Sequence, residues 1–213
     1  MTTGEVYQRI VDSGIIAIIR GIEKDIATDV VRAIATSGVE AIEITVDTPG
    51  AVEIIQEVSE EIGDEAAIGA GTVLDSETVR AVQLAGAEFV VTPTVNTDVI
   101  ETCNRYGTPI ATGVMTPTEA LTATEAGADF CKLFPASTTG PEQVSGINGP
   151  LPQIPLIPTG GISLDNAAAF FEAGAVALGV GSSLVDDEAI AAEEFHVLTE
   201  TASEFVALAE EHR

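Results

Sequence analysis

Four short segments of the chain share one pattern of small and apolar residues. In each, a glycine preceded by Ser or Ala is followed by an apolar run, and the segments are 37–44, 85–91, 126–133 and 173–180. Such a glycine is typical of a helix end, and the apolar run is typical of a buried strand. The four glycines lie 48, 41 and 47 residues apart, so each interval has room for two strand–helix units.

Further apolar runs and amphipathic patterns alternate with these segments. The runs at 15–19, 66–69, 109–111 and 155–157 bring the total to eight predicted strands. Helical spacing of apolar residues predicts helices at 25–37, 49–62 and 75–84, the last one starting on an Asp cap. Residues 116–119 (TPTE) form a capping box with proline at the first helical position. The stretch 186–213 is predicted to be an acidic amphipathic helix or helix pair.

Eight alternations of strand and helix predict an α/β fold, a (β/α)₈ TIM barrel near the short end of its size range. The alternative is a doubly wound open sheet. No linker rich in Pro or Ser divides the chain, so we expect one domain over 1–213 that includes the acidic C-terminal helical segment.

The charge balance narrows the range of partners. The chain has 34 Asp and Glu against 8 Lys and Arg, a formal net charge of −26, yet 46% of its residues are hydrophobic. That apolar content excludes a disordered acidic chain. Nucleic-acid binding needs a basic footprint, which is missing, and an anionic membrane surface would repel the protein. We therefore expect no nucleic-acid partner and no membrane partner.

The same composition suggests where the protein works. The early apolar run at 15–19 is too short to span a bilayer, no signal peptide is evident, and Cys103 and Cys131 form no CxxC pair. We expect a cytoplasmic protein. Strong acidity around an apolar core also fits a salt-rich cytosol, so a halophilic protein is a hypothesis.

The alternation of residues along two strands points polar side chains into the barrel. In the run 42–46 (IEITV), the apolar positions suit the helix layer, which turns Glu43 and Thr45 inward. In the run 130–134 (FCKLF), Lys132 lies on the face opposite Cys131 and Leu133. Both strands are even-numbered, and alternate strands fill a common layer of the barrel. Glu43 and Lys132 are therefore predicted to face one another.

A lysine inside an apolar barrel favours covalent chemistry. Burial disfavours its ammonium form, and the neutral amine can form a Schiff base with a ketone. A carboxylate opposite can move the protons of such a reaction. The alternative is a buried Lys–Glu ion pair that only holds the barrel together.

Glycine-rich turns after strands 7 and 8 predict a phosphate site. Barrels of this class often bind phosphate there, through backbone N–H groups and a helix N-terminus. The candidate residues are Thr159, Gly160, Gly161, Gly181 and Ser182, and two ordinary turns are the alternative. No basic residue lies close by in the sequence, so backbone and hydroxyl groups would have to hold the anion.

Other strand ends add candidates for substrate binding. The run 69–72 (GAGT) is either a tight turn or a close backbone approach with the Thr72 hydroxyl for a substrate carboxylate. Arg20 ends strand 1 in a chain short of cations, which favours anion binding over a surface role. Pro93 and Phe134 suit either rim packing or the apolar walls of a pocket.

Metal and nucleotide chemistry are not indicated. The two histidines, His196 and His212, lie in the acidic C-terminal segment and are interpreted as helix-surface residues. The chain has no HExxH motif, no GxGxxG after strand 1, no P-loop and no nucleophile elbow. We therefore expect no metal site and no cofactor.

Six motifs together resemble a known family. They are 18–20 (IIR), 43–45 (EIT), 69–73 (GAGTV), 113–119 (GVMTPTE), 132–136 (KLFPA) and 158–162 (PTGGI). From residue 15 to about residue 185, the chain resembles the 2-keto-3-deoxy-6-phosphogluconate aldolase / 4-hydroxy-2-oxoglutarate aldolase family.

The resemblance implies a metal-independent class I aldolase and gives roles to the candidates. Lys132 would be the Schiff-base lysine and Glu43 the general acid/base, while Thr72 and Arg20 would bind anionic groups of the substrate. The phosphate would be bound by Thr159, Gly160, Gly161 and Ser182. Family members are commonly trimers, so a homotrimer is expected.

Two positions depart from the family pattern. Asp47 stands where many members have an arginine that would contact the anionic end of the substrate, and Ser183 stands where an aromatic residue is frequent. The resemblance predicts cleavage of 2-keto-3-deoxy-6-phosphogluconate to pyruvate and glyceraldehyde 3-phosphate, in Entner–Doudoroff-type catabolism. The alternatives are action on unphosphorylated acids or 4-hydroxy-2-oxoglutarate, a phosphate-binding isomerase or synthase without a covalent lysine, and a non-catalytic member.

Overall fold

Eight parallel strands form one sheet in the computed structural model, which describes residues 1–212. The sheet order is β7-β6-β5-β4-β3-β2-β1-β8, and an isolated parallel bridge between Thr159 and Gly179 joins its two ends. The predicted (β/α)₈ barrel is therefore confirmed, and the alternative of an open doubly wound sheet is wrong. The strands are β1 (Ile15–Ile19), β2 (Ala41–Thr45), β3 (Ala67–Gly71), β4 (Phe89–Val91), β5 (Ile110–Val114), β6 (Phe130–Leu133), β7 (Leu156–Pro158) and β8 (Leu178–Val180).

Helices connect the strands and surround the barrel. A short 3₁₀ helix, Ala136–Thr138, follows β6. The α-helices within residues 1–212 are α1 (Thr3–Ser13), α2 (Lys24–Ala35), α3 (Ala51–Ile62), α4 (Ser76–Leu84), α5 (Thr97–Tyr106), α6 (Pro117–Glu125), α7 (Pro141–Asn148), α8 (Leu164–Glu172), α9 (Asp187–Ala191) and α10 (Phe195–His212).

The sequence signals for helix ends have their expected partners. The Asp75 side chain accepts a hydrogen bond from the Thr78 N–H, and Thr116 and Glu119 form a reciprocal capping box at the start of α6. Each of the repeated glycines follows a helix end and has a positive φ, for example +97° at Gly38 and +102° at Gly174. These glycines let the chain turn from helix into strand without a steric penalty.

Successive residues of each strand point to opposite faces of the sheet, as the alternation predicts. On β2, Ile42 and Ile44 belong to the core between strands and helices. A second core fills the barrel interior at its lower end and includes Ile16, Phe89 and Phe130. The upper end of the barrel, where the strands finish, is left for polar side chains.

Helix α1 closes the lower end of the barrel and is absent from the sequence-based assignment. Its Val6 and Ile10 are buried in the interior core, and the Tyr7 ring stacks on Phe130 with 4.5 Å between centroids. The signal that could have found it is the capping box of Thr2 and Glu5.

The acidic C-terminal segment is a helix pair, which is one of the two predicted forms. Helix α9 is short, and α10 buries Leu198 and Phe205 against the outside of the barrel. Arg213, the last residue of the predicted helical segment 186–213, lies outside the described residues. Within residues 1–212, no helix is both long enough and apolar enough to cross a membrane.

Candidate active site

Glu43 and Lys132 meet inside the barrel, as the alternation along β2 and β6 predicts. The distance from Lys132 Nζ to Glu43 Oε1 is 3.8 Å. Lys132 is 8% exposed and Glu43 is 1% exposed. Two ionisable groups are thus buried side by side at the level where the strands end.

The Glu43 carboxyl group is buried, and one of its oxygens makes no hydrogen bond within the described part of the chain. Its Oε1 atom has no hydrogen-bond partner among residues 1–212. Burial raises the pKa of Glu43, and the nearby charges of Lys132 and Arg20 only partly oppose this. A raised pKa brings a carboxyl group closer to the range in which it can both accept and release a proton.

Glycine at residue 71 makes room for that carboxyl group. A Cβ atom on Gly71 would lie 1.7 Å from Glu43 Oε1 and 2.3 Å from its Cδ. Gly71 is the last residue of β3 and pairs with Thr45 of β2. The run 69–72 is predicted as a tight turn or a close backbone approach, and the steric role of Gly71 beside Glu43 is an additional finding.

A cavity of about 420 Å³ opens above the pair and brings the predicted substrate-binding residues together. Glu43 lies beneath it and is the one predicted site residue that does not line it. The predicted residues that line the cavity are Arg20, Thr72, Pro93, Lys132, Phe134, Thr159, Gly160, Gly161, Gly181 and Ser182.

Arg20 and Thr72 form the polar side of the cavity. Arg20 Nη2 donates a hydrogen bond of 3.1 Å to Thr72 Oγ1. Thr72 directly follows β3 and has φ = +60°, which is a rare conformation for a β-branched residue. Strained backbone of this kind is found mainly where function requires it. Arg20 Nη1 also forms an ion pair with Asp47, and the Asp47 carboxylate partly neutralises the positive charge of Arg20.

The turn after β7 needs glycine for two reasons. Gly160 and Gly161 have φ values of +91° and +75°. A Cβ atom on Gly161 would lie 2.6 Å from the Cβ of Ser137, and one on Gly160 would press on the Phe134 ring. The turn therefore lies tightly against the segment that follows β6, and its backbone lines the cavity directly.

The predicted phosphate site has a cation nearby in space that the local sequence does not show. Arg20 follows β1, which pairs with β8, and it lines the same cavity as Gly181 and Ser182. Arg20 is thus a cation beside the backbone and hydroxyl groups of these turns, and the binding of phosphate there stays a prediction. Closure of the barrel brings the end of the first strand next to the end of the last.

Pro93 and Phe134 form apolar parts of the cavity wall. A Cβ atom on Gly113 would lie 2.2 Å from the Pro93 carbonyl carbon, so this glycine of β5 lets the loop after β4 fold into the barrel mouth. The Lys132 Nζ lies 5.4 Å from the centroid of the Phe134 ring. Pocket wall is thus the interpretation that the structure supports for both residues.

Three further residues line the cavity that were not among the predicted binding residues. Ile18 is the inward-facing residue near the end of β1, and alternation along 15–19 could have found it. Ile162 directly follows the glycine turn. Ser183 follows Ser182 and had been noted only as a departure from the family pattern.

The residues with metal-binding or redox chemistry lie elsewhere. His196 and His212 are both on α10, where His212 is 3.6 Å from Glu172. Cys103 and Cys131 are buried as free thiols. Among residues 1–212, no three His, Cys, Asp or Glu side chains are grouped so that they could hold a metal ion.

Comparison with protein families and named relatives gives a consistent result. A family model described as KDPG and KHG aldolase matches residues 6–201. The 2-dehydro-3-deoxy-6-phosphogalactonate aldolase of Escherichia coli (strain K12) is 39% identical over 171 residues, which are 80% of this chain and 83% of the relative. The 2-dehydro-3-deoxy-phosphogluconate aldolase of Pseudoalteromonas atlantica is 32% identical over 182 residues, or 85% of this chain and 84% of the relative.

A solved structure is similar to this chain in fold as well as in sequence. It is the KDPG aldolase of Legionella pneumophila with pyruvate captured as a covalent carbinolamine intermediate. The two structures have a TM-score of 0.85 and 27% sequence identity, and the match covers 95% of this chain and 97% of that one.

Proposed function

The chain belongs to the KDPG and KHG aldolase family, and from this premise we propose that it is a class I aldolase acting through a Schiff base on Lys132. Its proposed substrate is 2-keto-3-deoxy-6-phosphogluconate, which it cleaves to pyruvate and glyceraldehyde 3-phosphate. The observation that carries the proposal is the buried contact of 3.8 Å between Lys132 Nζ and Glu43 Oε1. The carbinolamine of pyruvate captured in the Legionella enzyme supports the same chemistry.

The reaction starts at the substrate ketone. The neutral amine of Lys132 attacks C2, and the carbinolamine loses water to give an iminium ion. Glu43 supplies the proton with which the C2 hydroxyl leaves as water, because it is the carboxyl group beside Lys132. The iminium carbon then withdraws electrons from the neighbouring C3–C4 bond.

Cleavage uses the other protonation state of Glu43. The Glu43 carboxylate takes the proton of the C4 hydroxyl, the C3–C4 bond breaks, and its electron pair moves into an enamine on Lys132. Glyceraldehyde 3-phosphate leaves, and the protonated Glu43 gives its proton to C3 of the enamine. Water then hydrolyses the iminium to pyruvate and the free amine of Lys132, and the proton released from this water returns to Glu43. The raised pKa of Glu43 suits a group that gives and takes protons in one cycle.

The cavity lining accounts for the binding of the two anionic ends. Thr72 and Arg20, which are hydrogen-bonded to one another, are proposed to hold the pyruvoyl carboxylate. The phosphate is assigned to the turns after β7 and β8, through backbone N–H groups and hydroxyls, by Thr159, Gly160, Gly161, Gly181 and Ser182. Pro93 and Phe134 enclose the carbon chain.

Assays of pyruvate release from a set of related acids test this function. The set is 2-keto-3-deoxy-6-phosphogluconate, its galactonate epimer, the two free acids and 4-hydroxy-2-oxoglutarate. We expect the phosphorylated gluconate to have the highest kcat/KM, and activity to persist with a chelator present. Faster turnover of another acid would assign the substrate to it, and loss of activity with the chelator would contradict class I chemistry.

Variants of the two central residues test the mechanism. Lys132→Ala should abolish turnover, whereas Lys24→Ala, at an exposed lysine paired with Glu57, should leave it unchanged. Glu43→Gln should slow turnover severely. Pyruvate release that survives in Lys132→Ala would contradict the covalent role of this lysine, whereas turnover of sugar phosphates without a borohydride adduct would support an isomerase or synthase. The homotrimer, which family membership supports, stays a prediction that light scattering in solution tests.

A further inference from the structure

Asp47 pairs with Arg20, the one arginine that lines the active-site cavity among residues 1–212. Its Oδ2 pairs with Arg20 Nη1, while Arg20 Nη2 donates to the Thr72 hydroxyl. The guanidinium group is thus held between a carboxylate of this chain and the residue proposed to hold the pyruvoyl carboxylate. The Arg20 side chain is 59% exposed and that of Asp47 is 45% exposed, so an incoming anion can reach both.

The cavity has little other positive charge to offer. Within the described part of the chain, Arg20 and Lys132 are the two Lys or Arg residues in its lining, and Lys132 already faces Glu43. The proposed substrate brings a carboxylate and a phosphate, which carries close to two negative charges at neutral pH. A chain with a net charge of −26 also repels anions at long range. The state of Arg20 therefore weighs heavily on substrate affinity.

The geometry of the guanidinium group determines how Asp47 affects the binding of anions by Arg20. Arginine binds carboxylate and phosphate best with two N–H donors at once. Asp47 and Thr72 occupy one donor on Nη1 and one on Nη2, so a phosphate that binds across the Nη1–Nη2 edge of Arg20 has to displace the Asp47 carboxylate. The pyruvoyl carboxylate can instead bind beside Thr72, where Arg20 is already directed.

We propose that Asp47 is a specificity-determining residue, which keeps Arg20 on the Thr72 side of the cavity and weakens the preference for phosphorylated over unphosphorylated acids. This inference rests on the proposed function. It names how the site discriminates between its substrates, and it assigns that discrimination to a carboxylate of the protein that competes with the substrate phosphate for Arg20.

The charge of Asp47 also acts on Glu43, apart from its contact with Arg20. Burial raises the pKa of Glu43 most, the positive charges of Lys132 and Arg20 lower it, and the negative charge of Asp47 adds to the rise. Removal of the Asp47 charge should therefore shift the acidic limb of the kcat/KM profile to lower pH.

Asp47→Asn tests the inference, with Glu57→Gln as its matched control. Glu57 is an equally exposed acid in an ion pair with Lys24, and it lies outside the cavity lining, so both variants change the net charge by the same amount. The measured quantity is the ratio of kcat/KM for 2-keto-3-deoxy-6-phosphogluconate to that for the free acid. We expect a rise of about two- to fivefold in Asp47→Asn, the range of an exposed ion pair, and no change in Glu57→Gln.

Two further measurements distinguish a failure of the role of Asp47 from a failure of the proposed function. In an Arg20→Gln background, Asp47→Asn should no longer change the ratio, because its effect passes through Arg20. A ratio that is unchanged in the single variant, or that changes equally in both backgrounds, overturns the role of Asp47. Borohydride trapping with pyruvate on every variant guards the premise, since failure to trap the parent protein would overturn the proposed function itself.

Discussion

Gly71 and Glu43 fit together so closely that the glycine defines where the carboxyl group lies. A Cβ atom at residue 71 would come within 1.7 Å of Glu43 Oε1, and within 2.6 Å of its Cγ. The carboxyl group thus fills the space that any other residue at the end of β3 would occupy. Its distance of 3.8 Å from Lys132 Nζ depends on that space.

Gly71→Ala is expected to displace Glu43 while the barrel stays folded. The atoms that must move belong to the far part of a flexible side chain, so the backbone can remain in place. Since general acid–base catalysis contributes on the order of 10²–10⁴-fold, kcat should fall by at least about 10²-fold. Steady-state kinetics and circular dichroism measure the two parts of this prediction.

Gly146→Ala is the matched control for that substitution. Gly146 lies in α7, and a Cβ atom there meets nothing within 4 Å. Alanine in a helix is favoured over glycine by roughly 0.5–1 kcal/mol, so this variant should be fully active and slightly more stable. Equal kcat values for both alanine variants would contradict the positioning of Glu43 by Gly71.

Glu43 should make the free energy of unfolding depend on pH in a defined direction. Burial raises the pKa of Glu43 in the folded state above its value of about 4.3 in an unfolded chain. The folded protein therefore binds the extra proton, and stability falls as the pH rises from about 4.3 through the folded-state pKa. The Glu43→Gln variant has a neutral side chain at every pH, so its free energy of unfolding does not fall for this reason.

Urea unfolding of both proteins across that pH range measures the effect. The stability of Glu43→Gln relative to the parent protein should increase with pH, by at most about 1.4 kcal/mol per pH unit, and then level off. A relative stability that decreases with pH would show that attraction to Lys132, and not burial, dominates the pKa of Glu43.

The Thr72 hydroxyl is expected to act in binding and not in the chemical step. Thr72→Val keeps the β-branched shape at φ = +60° but removes the partner of Arg20 Nη2. A hydrogen bond to a charged group contributes about 1.5–3 kcal/mol, so KM should rise by roughly tenfold or more. Thr72→Ser keeps the hydroxyl and should retain most of the affinity. A loss of kcat at unchanged KM would contradict this role.

Much of the barrel was predictable because its signals are local. The glycines at helix ends, the cap at Asp75 and the capping box of Thr116 each act over a few residues, and each is present in the structure. Period-two alternation sufficed to turn Glu43 and Lys132 inward. Helix α1 was missed because it lies before the first strand, outside the alternation of strands and helices.

The features of the site that escaped prediction depend on contacts between distant strands. The space above Gly71 is defined by Glu43, which is 28 positions away in the sequence. The cation beside Gly181 is Arg20, which closure of the barrel brings there. The pairing of Arg20 with Asp47 likewise joins the ends of two strands. No periodicity within one segment encodes such contacts.

The net charge of −26 predicts that salt stabilises the fold. Repulsion among exposed carboxylates destabilises the compact state, and the screening length falls from about 10 Å at 0.1 M salt to about 3 Å at 1 M. The thermal midpoint should therefore rise as KCl is increased over this range. The same measurement with sucrose controls for effects of excluded solute, and an unchanged midpoint in KCl would contradict the halophilic hypothesis.

Borohydride reduction in the presence of pyruvate, followed by peptide mass mapping, tests the central claim most directly. The chain has two lysines, of which Lys24 is exposed and paired with Glu57 while Lys132 is buried beside Glu43. We expect one stable adduct, on the peptide that contains Lys132, and none in Lys132→Ala. No adduct, or an adduct on Lys24 or the N-terminal amine alone, would contradict Schiff-base chemistry at this site.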